Sequence, residues 1–310
     1  MLSLQANLAE NERPGGVSDT KLVSIAHTAR HHQTFPGSGY VLPSDEVERQ
    51  RLLLQHKIWR KIFGDRILFP PVSLGDDDKV LDVGSGTGVW LLDLATSVNS
   101  SVSMVGADIE SQLFPASPPD NFEFCVQSVT RLPADWSNTF SLVHQRLLIF
   151  ALQTHEWPVA LREIYRVLRP GGWIQIDEST PWYEAQYRGK PYMEKLTALV
   201  GCVARARDLY VDCTDNMSEM LGQAGFVDIR TEAATQELGK WAGEAGVANR
   251  DNLVGVFRGL KTPVLQAGGF GHVSSEAEFD QLLQGLEKEW DEIPGTKKQV
   301  FIFWAQKPVV

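Results

Sequence analysis

Residues 1–39 show little periodic apolar character, are rich in Gly, Ser, His and Asn, and end in Phe35-Pro36-Gly37-Ser38-Gly39, the composition of a flexible N-terminal arm. Patterning starts at Tyr40. Ser44-Asp45-Glu46 reads as a helix start with Ser44 as the cap, although Val47 stands where a capping box wants Glu. Leu52, Leu53, Ile58, Trp59, Ile62 and Phe63 then recur at helical spacing and stop at Gly64, so residues 40–70 are expected to form a helical cover.

Beyond Pro70-Pro71, short apolar runs alternate with longer amphipathic ones, the pattern of βα units around a parallel sheet. Strands are expected at 79–83, 102–107, 122–126, 140–144 and 172–177, with helices at about 88–98 and 156–168. The stretch 111–120 holds Pro115, Pro118 and Pro119, too much proline for helix. A longer helical region spans 191–224 and ends at Gly225, a strand runs from Phe226 to Thr231, and the last apolar strand is Gln299 to Trp304. Residues 232–297 are too many for an ordinary connection and are expected to be an insertion with its own helices. The expected fold is α/β, Rossmann-like and doubly wound, with a mostly parallel seven-stranded sheet. An N-terminal helical cover precedes the sheet core of residues 78–178, and the insertion precedes the last strand, making one domain over 40–310.

Composition adds exclusions. The chain has 310 residues, 43% hydrophobic and 22% charged, ordinary for a globular protein. Its net charge of -10, with acidic and basic residues interspersed, disfavours nucleic acid as a partner. No stretch approaches the ~20 apolar residues of a membrane span, nor is there a signal-peptide layout at the N-terminus, so a cytoplasmic location without membrane contact is expected. Cys125, Cys202 and Cys213 are too widely spaced for a disulfide framework or a zinc site, and no metal is expected.

The most informative chemistry lies in Asp82-Val83-Gly84-Ser85-Gly86-Thr87-Gly88, where a strand runs into three glycines at alternate positions and then a helix. Glycine lets backbone approach a ligand and adopt positive φ. A dinucleotide fingerprint wants its third glycine at position 89, but residue 89 is Val and the glycine comes one place early, which argues against a nicotinamide cofactor. Asp108 closes the second strand, where a carboxylate can accept both hydroxyls of a ribose. Leu168-Arg169-Pro170-Gly171-Gly172 then stops a helix and turns into the fifth strand.

Taken in this order, the loop, the acidic strand end and the Pro-Gly-Gly turn resemble the class I S-adenosylmethionine-dependent methyltransferases over residues 78–178. Tyr40-Val41-Leu42-Pro43-Ser44-Asp45-Glu46, Glu48, Arg51-Leu52, Gln55-His56 and His144-Gln145-Arg146 are similar to a narrower group, the fungal secondary-metabolism methyltransferases. That group includes the LaeA-like regulators and the thiol methyltransferases of the gliotoxin type, and the similarity extends over 40–310. The resemblance implies S-adenosyl-L-methionine as cofactor. Gly84, Ser85, Gly86 and Gly88 would line its methionine, Asp82 would order the loop, Asp108 would hold the ribose and Ile109 would cover the adenine. Ser128 or Gln127, with Val129, would replace the usual acidic adenine contact. His144 and Gln145 would sit near the sulfonium, with Arg146 tying down backbone; Tyr40 and Arg51 would meet the methionine carboxylate.

For an oxygen or sulfur acceptor, His144 is the candidate general base, with His56 and His272 as alternatives. The roles of Gln55 and His56 stay open between core and site. Trp182, Tyr183, Tyr187, Asn252, Phe257, Arg258 and Phe270 are candidates to line an acceptor pocket. The expected function is methyl transfer to O, S or N of a small molecule; the alternative is a regulatory protein that keeps the cofactor site and acts through partners. Oligomeric state is not legible.

Overall fold

The computed structural model describes residues 23–180 and 187–309. The sheet is built from β1 (Lys79–Val83), β2 (Ser103–Asp108), β3 (Phe122–Val126), β4 (Phe140–Arg146), β5 (Leu168–Ser179), β6 (Val227–Glu237) and β7 (Lys297–Gln306). Their order is β3-β2-β1-β4-β5-β7-β6. The first five strands pair in parallel; β7 runs antiparallel to both β5 and β6, so the sheet is mixed at that edge.

Beyond Lys79 β1 is buried on both faces, which is why Val80, Leu81 and Val83 are all apolar and the one polar residue among them, Asp82, lies at the cleft. On one face Leu81 and Val83 pack with Val143 and Ile174 against Trp157, Leu161 and Ile164 of α3 (Glu156–Val167). Met217 and Leu221 of α5 (Cys213–Gln223) join them. On the other face Val80, Met104 and Leu142 meet Trp90, Leu91 and Leu94 of α2 (Val89–Leu94). That helix is shorter than the 88–98 expected, because the chain leaves it through turns in which Thr96 and Ser97 N–H groups reach back only three residues. The expected helical region 191–224 is two helices, α4 (Pro191–Ala206) and α5. It breaks where Asp208 takes φ +53° and Leu209 N–H caps the Ala204 carbonyl.

A second apolar core lies over the cleft. Leu196 and Leu199 of α4 pack with Phe257 of α6 (Gly243–Gly259), Val264 of α7 (Lys261–Gln266), and Leu283 and Trp290 of α8 (Glu276–Glu292). Val41 and Leu42 join this core from the N-terminal side. The cover therefore draws on the segment after β5 as well as on the helices between β6 and β7.

Helix α1 (Glu46–Ile62) bridges the two cores, with Trp59 and Phe63 set against Val300 and Ile302 of β7. Its cap is Asp45, whose carboxylate accepts the Glu48 N–H at 3.0 Å, rather than Ser44, whose hydroxyl is buried without a hydrogen bond. Asp45 is also fixed by Arg30. Residues 23–39, expected to belong to a flexible arm, make specific contacts: Ile25 N–H reaches Leu265 O at 2.8 Å and Ser44 N–H reaches His31 O at 2.9 Å. Residues 1–22 lie outside the described residues, and among the described ones no helix is long and apolar enough to cross a membrane.

Candidate active site

A cleft of about 320 Å³ opens at the C-terminal ends of the parallel strands, beneath α1 and α6. Its floor begins with the glycine loop between β1 and α2, where Gly84, Gly86 and Gly88 all take positive φ, +69°, +50° and +67°. Gly84, Ser85 and Gly86 line the cleft, and the Ser85 hydroxyl is buried there without a hydrogen bond. Gly88 does not line it. A Cβ at that position would stand 2.6 Å from the Phe124 ring, so its glycine serves the close packing of β3 and the left-handed cap of α2 rather than ligand contact.

Asp108 ends β2 beside the loop. One carboxylate oxygen accepts the Gly86 N–H at 2.8 Å and the other accepts Glu110 N–H at 3.1 Å, which leaves a lone pair on each. Burial pushes its pKa up to about 6 against the pull of these backbone donors. Ile109, Ser128 and Val129 continue the cleft wall, and Ser128 exchanges a hydrogen bond with Thr130 at 2.8 Å. From the cover side come Tyr40, Arg51, Leu52, Gln55 and Trp59. Burial, with Glu48 next in effect, raises the Tyr40 pKa, so its phenol stays neutral.

The end of β4 differs from expectation. Strand alternation turns Gln145 away from the cleft and into the apolar layer that faces α3, fully buried with neither amide atom hydrogen-bonded. His144 borders the cleft but has no free nitrogen: Nδ1 lies 2.7 Å from Asp82 and Nε2 3.2 Å from Asp177, while Trp90 stacks on the ring at 3.8 Å. Burial alone would lower its pKa, yet the two carboxylates outweigh burial and raise it. An imidazolium held at both ends cannot accept a proton from an acceptor, so His144 is placed as an electrostatic tie between β1, β4 and β5, not as a base.

His56 is likewise closed. Arginine can only donate, so Arg146 Nη1 gives its proton to His56 Nδ1 at 3.1 Å, and Nε2 carries the ring proton toward Asp93 at 2.8 Å. Burial and then the Arg146 charge lower the His56 pKa to about 4, keeping the ring neutral. Arg51 bonds both oxygens of Glu48, at 2.9 and 2.6 Å, and its Nη1 reaches Asn252 Oδ1 at 3.0 Å, tying α1 to α6.

Of the remaining candidates, Asn252 lines the cleft. Tyr187 and Phe270 pack against the cover core, Phe257 is buried inside it, and Arg258 faces Glu287. His272 lies near Cys202 instead. Trp182 and Tyr183 lie outside the described residues. Sequence reading missed Asp177, Trp90 and the cleft-facing placement of Arg146. Period-two alternation from His144 was the signal that would have separated Gln145 from Arg146.

Comparison with known proteins agrees with this geometry. A family model described as a methyltransferase domain matches residues 80–172, the span from β1 and the glycine loop through Asp108 and β4 to the Gly172 turn. The seven-stranded topology, the loop and that match are features the chain shares with the S-adenosylmethionine-dependent methyltransferases of the class I type. Fungal proteins are among its relatives. N-methyltransferase sirN of Leptosphaeria maculans is 26% identical over 281 residues, 89% of this chain and 97% of that protein. N-methyltransferase gliN of Aspergillus fumigatus is 27% identical over 87% of this chain and 97% of its own. The secondary metabolism regulator laeA of Aspergillus flavus is 27% identical over 72% of this chain and 60% of its length.

Proposed function

We propose that the chain methylates a small molecule, at nitrogen before oxygen or sulfur, with Asp108 holding the cofactor's ribose and the Gly84–Gly86 loop cradling its methionine. The observation that carries this reading is the enclosed cleft: its volume is at the lower end of small-ligand sites. The residues fit the cofactor, since the loop carries no side chain at Gly84 and Gly86, Ser85 offers an unpaired hydroxyl and Asp108 keeps two lone pairs toward the cleft. When bound, S-adenosylmethionine supplies a methyl group already activated by its sulfonium. The protein's part is alignment and exclusion of water, worth as much as ~7–11 kcal/mol in favourable cases.

Beyond the loop, Trp59, Leu148, Leu253, Val256 and Val300 line the cleft with apolar surface, interrupted by the polar side chains of Ser179, Gln236, Asn252 and Lys298. With His144 and His56 both closed, neither imidazole accepts a proton there, which favours an acceptor atom that is nucleophilic without prior deprotonation. A neutral amine meets that requirement, and the names of the sirN and gliN proteins support the preference for nitrogen. A regulatory reading, with partner proteins in place of a small acceptor, rests on similarity to laeA. Incubation with methyl-labelled S-adenosylmethionine and panels of apolar amines, thiols and phenols decides between them: a labelled amine is the expected product, and no transfer to any panel overturns the proposal.

A further inference from the structure

Arg146 ends β4 on the strand face shared with His144, and its side chain lines the cleft. Among the described residues its guanidinium makes one hydrogen bond, to the neutral ring of His56, and no ion pair. Most of its donors are left unpaired. Burial lowers its pKa while Asp177 and then Asp82 oppose the shift, so the group stays charged. A partly buried cation with no carboxylate in contact loses hydration that its surroundings replace only in part, and an anionic ligand offsets that loss.

The direction of the cleft says which anion. With the ribose at Asp108 on β2 and the adenine toward Ser128 and Val129, the rest of the cofactor runs the other way, across the end of β1 to β4. Two side chains flank that path. Asp82 on β1 is the register partner of His144 on β4, and Arg146 stands two residues beyond on the same face. An α-amino acid head carries an ammonium and a carboxylate on one carbon, and this acid and base on neighbouring strands match both charges. Arg51, which sequence reading placed at the carboxylate, is already neutralised by Glu48.

We infer that Arg146 binds the α-carboxylate of the cofactor's methionine, with Asp82 facing the ammonium. His56 and Asp93 act as positioning residues: Asp93 fixes the Nε2-protonated tautomer, and the bare Nδ1 then aims the guanidinium. Gln55, on the cleft-facing side of α1 one turn from Leu52, is 7% exposed, makes no hydrogen bond and supplies a neutral donor to the same carboxylate. The inference rests on the cofactor reading above.

Calorimetry on the full chain tests it without an acceptor. The probes are S-adenosylhomocysteine, its decarboxylated form S-adenosyl-3-thiopropylamine, and 5′-methylthioadenosine, which lacks the whole amino acid. Wild-type protein is expected to bind the decarboxylated form at least about tenfold more weakly than S-adenosylhomocysteine, since a hydrogen-bonded charge contributes about 1.5–3 kcal/mol. Arg146→Gln is expected to lose about tenfold toward S-adenosylhomocysteine while its affinity for 5′-methylthioadenosine stays within twofold, and Arg146→Lys recovers part of the loss. Equal wild-type affinity for the acid and its decarboxylated form overturns the inference even if no variant folds. An Arg146→Gln variant that weakens all three probes alike shows a structural role, and one that weakens none leaves Arg146 to an acceptor's anion; both overturn it. Wild-type protein that binds no probe overturns the cofactor reading itself.

Discussion

Replacing Asp108 with Ala removes the acceptor proposed to hold the ribose. Its two oxygens accept from Gly86 and Glu110 and keep one lone pair each, enough for both ribose hydroxyls. Two hydrogen bonds to a charged group at about 1.5 kcal/mol or more each come to about 3 kcal/mol, a loss of at least about 100-fold in affinity for S-adenosylhomocysteine. Because 5′-methylthioadenosine shares the ribose, it is expected to lose as much, unlike the outcome at Arg146. The titration gives a second measure. Burial sets the Asp108 pKa at about 6, so the accepting carboxylate predominates above that pH and the neutral acid below it. Affinity scaling with the ionised fraction falls roughly tenfold between pH 7 and pH 5, and the slope is absent in Asp108→Asn. Isothermal titration calorimetry across this range is the assay. An Asp108→Ala protein with native circular dichroism and affinity within threefold of wild type refutes the reasoning, as does an unchanged slope in Asp108→Asn.

Gly88→Ala adds a Cβ 2.6 Å from Phe124 at a left-handed position, which is expected to cost about 2–4 kcal/mol in urea unfolding while leaving ligand affinity in the folded fraction intact. His144→Leu leaves Asp82 and Asp177 buried without their cation and is expected to destabilise by about 3–5 kcal/mol, read as a drop in urea midpoint. Because the folded pKa of His144 is raised above its unfolded value of 6.5, the stabilisation in wild type is complete below about 6.5 and is lost as pH rises through the raised value. Urea midpoints of wild type should therefore fall toward those of the Leu variant on the alkaline side; parallel profiles contradict the assignment. Asn252→Ala releases Arg51 from α6 and is expected to speed S-adenosylhomocysteine dissociation several-fold in stopped flow, with little change in association.

The parts of this fold legible in sequence are those written by local rules. Each sheet strand expected from apolar runs is present, because burial on both faces keeps Val80, Leu81 and Val83 of β1 and Phe140, Leu142 and Val143 of β4 apolar. The glycine loop and Asp108 were legible because their spacing is set by one strand, one turn and the next strand end. Errors arose where a contact distant in sequence overrode the local preference. Ser44 lost the cap to Asp45 because Arg30 also holds that carboxylate, and Gly88 became a packing position because Phe124, on β3, occupies the space a side chain would need. His144 resembled a base until Asp82 and Asp177 arrived from two other strands to close both nitrogens. Arg51 is the exception, neutralised by Glu48 three residues away on its own helix, with Asn252, two hundred and one residues away, adding the tie to α6.

The two apolar cores divide the work of the cleft. The sheet core fixes the strand ends, and with them the proposed cofactor contacts at Asp82, Ser85, Gly86 and Asp108, in a geometry that tolerates little change. The cover core fixes Leu253 and Val256 at the apolar end and touches none of those contacts. Helix α1 is bonded to both, through His56 to Asp93 and Arg146 on the sheet side and through Arg51 to Asn252 on the cover side. A substitution in the cover away from the Asn252–Arg51 tie can therefore reshape the acceptor end without disturbing the cofactor, whereas a change in that tie or in α1 is felt at both. On the proposed reading acceptor identity is therefore written in α6 and its neighbours, where short-range patterns report only amphipathic helix, and the cofactor in β1, β2 and β4, where they report a glycine loop and acidic strand ends.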